Sequence, residues 1–282
     1  MIRPFGGPIV LKEFAEKYSI TSSYRRKELT PMNDETHWRE LTKRAIALHR
    51  EGRYAESAHI AEEALAVAEK CFGVEHPRVA VSLNNLAECY REQRKHQEAE
   101  PLYERALAIK EKAYGRENIR VANSLSNLGA LYYCQKRYAE AEACSLRALR
   151  IRESALGPEH PDVARSLTNL AGILLKQERN QEAERLGKRA LLLKERVLGT
   201  DDPGLAASMN NLAAVYHAQG KHAAATLLCC HALAVVEKRL GPYHPHIRVL
   251  VQNMEKLRRS LRERREAEST QATTVSIVVG RN

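Results

Sequence analysis

The apolar positions of this chain fall into blocks of helical spacing separated by short polar breaks. Between Pro77 and Gly115, Val79, Leu83, Leu86, Ala87 and Tyr90 recur at i, i+3 and i+4, which places them on one face of an amphipathic helix. The pattern breaks around residues 94–96. It resumes with Ala99, Leu102, Tyr103, Ala106, Leu107, Ile109 and Ala113, and stops at Gly115. The stretch predicts two helices joined by a tight turn.

That block is written five times at a step of 42 residues. Gly73, Gly115, Gly157, Gly199 and Gly241 mark its end, and Ala64-Leu65, Ala106-Leu107, Ala148-Leu149, Ala190-Leu191 and Ala232-Leu233 recur in the same register. So do Glu69, Glu111, Glu153, Glu195 and Glu237. A fixed period of this length signals a solenoid, in which each unit buries its apolar face against its neighbours. Such a chain presents a stacking surface and a groove, which moves the expectation from catalysis towards binding.

The Gly series fits left-handed positions at helix C-termini, where a side chain would clash. After it come His76-Pro77, Asn118-Ile119, His160-Pro161, Asp202-Pro203 and His244-Pro245, which read as helix N-caps followed by a first helical residue. The recurrent His invites a metal or catalytic reading. Its equivalents Asn118 and Asp202 share capping ability and little else, so the series is structural punctuation. The Glu series is assigned to packing or local hydrogen bonding, because successive copies stand a whole repeat apart.

The expected organisation is an irregular basic extension over 1–31, five repeats over 32–247, a basic capping helix over 248–268 and a disordered tail over 269–282. Translation starting at Met32 would remove the extension; otherwise it is a disordered arm. In the capping helix Val251, Met254, Leu257 and Leu261 are expected on one side.

Composition changes this picture little. Apolar residues make up 44%, with 3 Phe and 1 Trp, so alanine does the packing where helices approach closely. No apolar run reaches the ~18 residues that span a bilayer, and the first thirty residues lack the apolar core of a secretory signal. The protein reads as cytoplasmic, with no membrane insertion. The six cysteines show no C-x-x-C pair and no His at metal-ligand spacing; reduced packing residues are expected, and no metal or cofactor. The net charge of +10 is concentrated at the ends: 1–31 hold six Lys/Arg against three Glu, and 248–282 hold eight against four. No P-loop, G-x-S-x-G, H-E-x-x-H or dinucleotide glycine pattern occurs, so no enzyme is expected.

Leu83-Leu86-Ala87-Tyr90 with Ala99, Ala106 and Leu107, and Leu125-Leu128-Gly129-Tyr132 with Ala141, Ala148 and Leu149, resemble tetratricopeptide repeats. The step of 42 and the phrases S-L-N-N-L-A and E-A-E-P-L-Y-E-R-A-L are similar to the longer repeats of kinesin light chains. The resemblance covers about residues 36–247. It implies an all-α fold, a right-handed α-solenoid of five helix-turn-helix repeats with a C-terminal capping helix. It does not imply a kinesin light chain, because residues 1–39 are too short and irregular for the heptad coiled coil that binds the motor.

In this family the first helix of each unit lines the concave groove. Position by position, the inward candidates are Thr42, Asn84, Ser126, Thr168 and Asn210, followed by Asn85, Asn127, Asn169 and Asn211. In related repeats such asparagines contact peptide backbone, so the match implies that role here. A carboxamide offers both a donor and an acceptor, and a ladder of them suits an extended chain. The alternative is that these residues tie adjacent helices together. Specificity falls to positions that vary between units, among them Arg39, Arg50, Arg91, Tyr133, Arg165, Lys176 and His217. This mostly basic set favours an acidic or carboxylate-bearing segment, weighed against a merely solvated charged face. The expected function is a protein-interaction scaffold that binds extended peptides. Salt-sensitive binding of nucleic acid by the basic ends is the less favoured alternative, since aromatics for base stacking are few. A homodimer that lengthens the groove is compatible with five units.

Overall fold

The structure is a computed structural model that describes residues 34–241, 247, 248, 250–259 and 262. The expected extension 1–31, the tail 269–282 and the His244-Pro245 cap lie outside them. Five helix pairs follow one another: α1 (Asp34–Arg50) with α2 (Tyr54–Phe72), α3 (Pro77–Glu92) with α4 (His96–Tyr114), and α5 (Ile119–Cys134) with α6 (Tyr138–Leu156). Then come α7 (Pro161–Lys176) with α8 (Asn180–Leu198) and α9 (Ala206–Ala218) with α10 (His222–Leu240). A 3-10 turn, Pro203–Leu205, precedes α9. Each helix packs against the next in sequence. The odd-numbered helices also touch one another directly, α1 with α3, α3 with α5 and α7 with α9. They therefore form the inner layer of an all-α solenoid.

Small side chains set the close approach. Ala64, Ala106, Ala148, Ala190 and Ala232 are all buried, one in every second helix. The caps act as the sequence predicts: His76, Asn118, His160 and Asp202 accept from the backbone N–H two residues on. The glycines need a correction. Gly73, Gly115, Gly157, Gly199 and Gly241 have φ of 80–86° but ψ of 152–164°. That is not the left-handed helical region; it is a region open to essentially no residue but Gly, which explains the strict register.

A second positive-φ series was not anticipated. Gly52, Arg94, Lys136, Glu178 and Gly220, again 42 apart, have φ of 61–77° in the turn inside each unit. Only the outer units place Gly there.

The recurrent Glu proves to join repeats. Arg105 pairs with Glu69 at 2.7 Å, Arg147 with Glu111 at 2.5 Å and Arg189 with Glu153 at 2.8 Å. Each Arg also donates to a loop carbonyl of the preceding unit, from Val74, Arg116 and Pro158 respectively. One guanidinium thus grips the end of the previous second helix and the loop after it.

Helical backbone continues at 247–248, 250–259 and 262. Leu250 is buried against Met209, Leu212, Ala232 and Val236, and Leu257 against Ala225 and Cys229, with Met254 beside it. Val251, expected on this face, is exposed, and Leu250 takes its place. Leu261 lies outside the described residues.

Candidate functional site

The inner faces of α5, α7 and α9 enclose an open cavity of about 540 Å³. Its wall includes Ser126, Gly129, Tyr133 and Cys134 from α5, Thr168, Asn169, Gly172 and Lys176 from α7, and Ser208, Asn211 and Val215 from α9. Arg91 reaches it from α3. Two features open it. Gly129 lets α6 approach so closely that a Cβ would stand 3.3 Å from both Cys144 Cβ and Ser145 Oγ. The direct contact between α5 and α7 is also smaller than that between the other inner neighbours, and the Arg152 side chain bridges the two helices there.

Asn85, Asn127, Asn169 and Asn211 stand in one register of α3, α5, α7 and α9. The first two are half-buried and the last two exposed. Asn169 and Asn211 line the cavity; Asn85 and Asn127 continue the row beyond it. None of the four carboxamides makes a hydrogen bond among the described residues. The preceding row behaves differently. Asn84 is buried and donates to Ala80 O at 2.6 Å; Ser126 and Thr168 donate to Ala122 O and Ala164 O. Asn210 accepts from Asn253 at 2.8 Å, so it joins the last repeat to the terminal helix. Asn84 and Asn210 thus each use one end of the carboxamide within the fold, while the Asn84 Oδ1 is buried without a hydrogen-bond partner among the described residues.

The basic positions are also sorted by their partners. Arg39 pairs with Glu35 at 2.6 Å and Arg165 with Asp162 at 3.1 Å, each within its own helix. Arg91 pairs with Glu88 and, at 2.7 Å, with Glu92; burial opposes its charge, but these carboxylates hold its pKa above the usual arginine value. Lys176 is exposed on the cavity wall and has no ion pair among the described residues. Tyr133 lies edge-on to Tyr138, and burial raises its pKa. His217 lies away from the cavity wall, with its Nδ1 at 3.1 Å from that of His222. Burial first and His222 second lower its pKa, which favours the neutral ring.

The most informative residues were not singled out from sequence. Lys110, Arg152 and Lys194 occupy one register of the second helices, and each reaches into the next repeat. Lys110 Nζ donates to Ser124 at 2.9 Å, Arg152 Nη1 to Ser166 at 2.6 Å and Lys194 Nζ to Ser208 at 2.8 Å. At the first interface Trp38 Nε1 serves Ser82 instead, at 2.9 Å. Arg152 is fully buried, and its other bonds go to Ser126 Oγ, Asn123 Oδ1 and Ala122 O. No carboxylate stands within ion-pair distance of the three cations among the described residues. Burial pulls all three below their usual pKa; for Arg152, Arg165 adds to the effect and Asp162 opposes it. The signal was present in the sequence as a cation in fixed register.

No group of three or more potential metal ligands and no helix long and apolar enough to cross a membrane occurs among the described residues. All six cysteines are free thiols, Cys134 and Cys230 exposed. The basic ends that carried the nucleic-acid alternative fall largely outside the described residues.

A tetratricopeptide-repeat family profile matches residues 39–112, 120–191 and 163–238. None of the curated proteins compared by sequence matches significantly. Among solved structures, the chain is similar to the nearly identical, kinesin-light-chain-type TPR-like repeats of Podosopora anserina, at 26% identity and a TM-score of 0.61. That match covers 72% of this chain and 96% of the other. BtubC (BKLC) of P. vanneervenii aligns at 24% identity and a TM-score of 0.63, over 75% of this chain and 84% of its own. Pseudomonas aeruginosa pilF shares the fold at 19% identity and a TM-score of 0.53, covering 84% and 89%.

Proposed function

The chain belongs to the tetratricopeptide-repeat family, as a distant relative of the kinesin-light-chain type, and from that premise we infer that its inner groove binds extended peptide segments of partner proteins. A protein-interaction scaffold is what the family supports. The groove is the finer reading, and one observation carries it. Asn85, Asn127, Asn169 and Asn211 recur on the inner helices with their donors and acceptors unused among the described residues. An amide that ties helices together is bonded, as Asn210 is to Asn253. An extended peptide carries N–H and C=O groups along both edges and can satisfy such a row without requiring a particular sequence. Acidic or carboxylate-bearing segments are the preferred ligands, since Lys176 on the cavity wall is unpaired among the described residues.

A display library of linear peptides selected against the full chain tests this. Peptides selected by the wild type should lose roughly tenfold or more in affinity when all four Asn become Ala, since each neutral hydrogen bond contributes about 0.5–1.5 kcal/mol. Helical content should be unchanged. Undiminished affinity in the folded variant would remove the groove from the function.

A further inference from the structure

The turn inside each unit brings two side chains together across it, one near the end of the first helix and one five residues on, at the start of the second. They bracket the positive-φ position, and the backbone closes in the same way each time. In the last unit Gly220 N donates to His217 O at 2.9 Å and Lys221 N to Tyr216 O at 2.8 Å. In the third, Lys136 N donates to Tyr133 O at 3.0 Å and Arg137 N to Tyr132 O at 2.9 Å. Rings meet across this turn in three units: His49 with Tyr54 at 5.1 Å between centroids, Tyr133 with Tyr138 at 5.7 Å, and His217 with His222 at 5.1 Å. The second and fourth units carry Arg91 with His96 and Leu175 with Asn180 there. Only the last unit places two imidazoles at this register.

Those imidazoles turn their Nδ1 atoms towards each other, 3.1 Å apart. One ring there holds Nδ1–H and the other presents a bare Nδ1. Divalent zinc binds imidazole nitrogen at about 2.0–2.1 Å. An ion at that distance from both Nδ1 atoms makes an N–metal–N angle of about 95–100°, between the square-planar and the tetrahedral values. Both rings are half-buried, which leaves the rest of a coordination shell to water. The backbone of the turn fixes where the two rings start, so little ordering remains to be done on binding. Burial first and His222 second favour the neutral form of His217, so protons compete weakly for it near neutral pH. Lys221, the cation beside His222 in sequence, has its Nζ on Glu184 at 2.8 Å.

We propose that His217 and His222 chelate a borderline divalent cation of the zinc class through their two Nδ1 atoms, with water completing the shell. The donating ring moves its proton from Nδ1 to Nε2 as the ion takes the shared place, so neutral rings release no net proton. Two imidazoles select such an ion over magnesium and calcium, which prefer oxygen ligands. The ion ties the end of α9 to the start of α10, in the unit that also holds the terminal helix through Asn210 and Asn253. His217 lies off the cavity wall, so the site stands apart from the peptide groove.

The test is a titration of the reduced, isotope-labelled full chain with zinc chloride at neutral pH, read by NMR at the imidazole nitrogens of each histidine. The Nδ1 signals of His217 and His222 should shift together and saturate as a single site, and magnesium chloride should move neither. His217→Ala or His222→Ala alone should weaken zinc binding at the remaining ring roughly a hundredfold or more, because the second donor acts intramolecularly. Lowering the pH through the imidazole range should release the ion, since a protonated ring cannot ligate. Zinc should also slow amide exchange at Gly220 and Lys221. The double variant His217→Tyr, His222→Tyr installs the ring pair of the third unit and should fold, with that slowing lost. Nδ1 signals unmoved by zinc, or moved in one ring alone, would overturn the proposal. So would wild-type affinity in either Ala variant, or equal slowing of exchange in the double Tyr variant.

Discussion

An asparagine that finds no partner within its own protein differs from one that does, although the two are neighbours in sequence. Asn84 turns back on Ala80 O and is buried, while Asn85, one helical step round, has no hydrogen bond among the described residues. The period made both rows legible as inner-face candidates. It could not tell them apart, because a helix step of about 100° decides which side chain meets a carbonyl of its own turn. Arg39, Arg91 and Arg165 were equally legible as basic, and their partners stand three or four residues away on the same helix, a spacing the sequence also carries. The turn residues Arg94, Lys136 and Glu178 were not legible at all, because nothing in their chemistry announces a positive φ. Lys136, at φ 63°, has no ion pair to lose among the described residues. Left-handed backbone costs a non-Gly residue about 1–2 kcal/mol, and the added freedom of Gly in the unfolded chain takes back about 0.5–1. Lys136→Gly should therefore stabilise the protein by roughly 0.5–1 kcal/mol in a urea titration. A loss of stability would show that the turn is not strained.

At the scale of elements, the helix pairs and their caps could be read directly, since the caps at His76, Asn118, His160 and Asp202 work as their residue types dictate. The Gly at each second-helix end was legible as obligatory, although the backbone region it occupies was not. The site of Gly115 is spatially open, with nothing within 4 Å of the place a Cβ would occupy. The cost of Gly115→Ala is then conformational alone, about 1–3 kcal/mol of lost stability. Gly172 is the counterpart: it lies within α7, equally open, and its repeat equivalents include Ala130 and Ala214. Gly172→Ala should instead stabilise by about 0.5–1 kcal/mol, because helical Gly is penalised relative to Ala. Thermal unfolding of the two variants should move in opposite directions; a shift of the same sign would refute the backbone assignment. The Arg–Glu joints between repeats belong to this scale too. Arg105–Glu69 and Arg189–Glu153 are partly solvated and worth little singly, whereas in Arg147–Glu111 both side chains are only about 20% exposed.

For the whole molecule, the period alone sufficed to read a five-unit solenoid, because stacking geometry repeats wherever the sequence does. The groove's position followed from the family resemblance, and the direct contacts among odd-numbered helices agree with it. The cavity did not follow. It depends on Gly129 and on Arg152 lying between α5 and α7, where one repeat departs from the others. Binding along the inner face requires that a ligand engage several repeats at once, so that weak amide bonds sum. The side-chain amide NMR signals of Asn85, Asn127, Asn169 and Asn211 report this most directly, followed while a peptide from display selection is added to the full chain. All four pairs should shift together and saturate at one common affinity, with Asn84 unmoved. Four unchanged pairs, with shifts confined to α2, α4, α6, α8 and α10, would contradict the account and place recognition on the outer face.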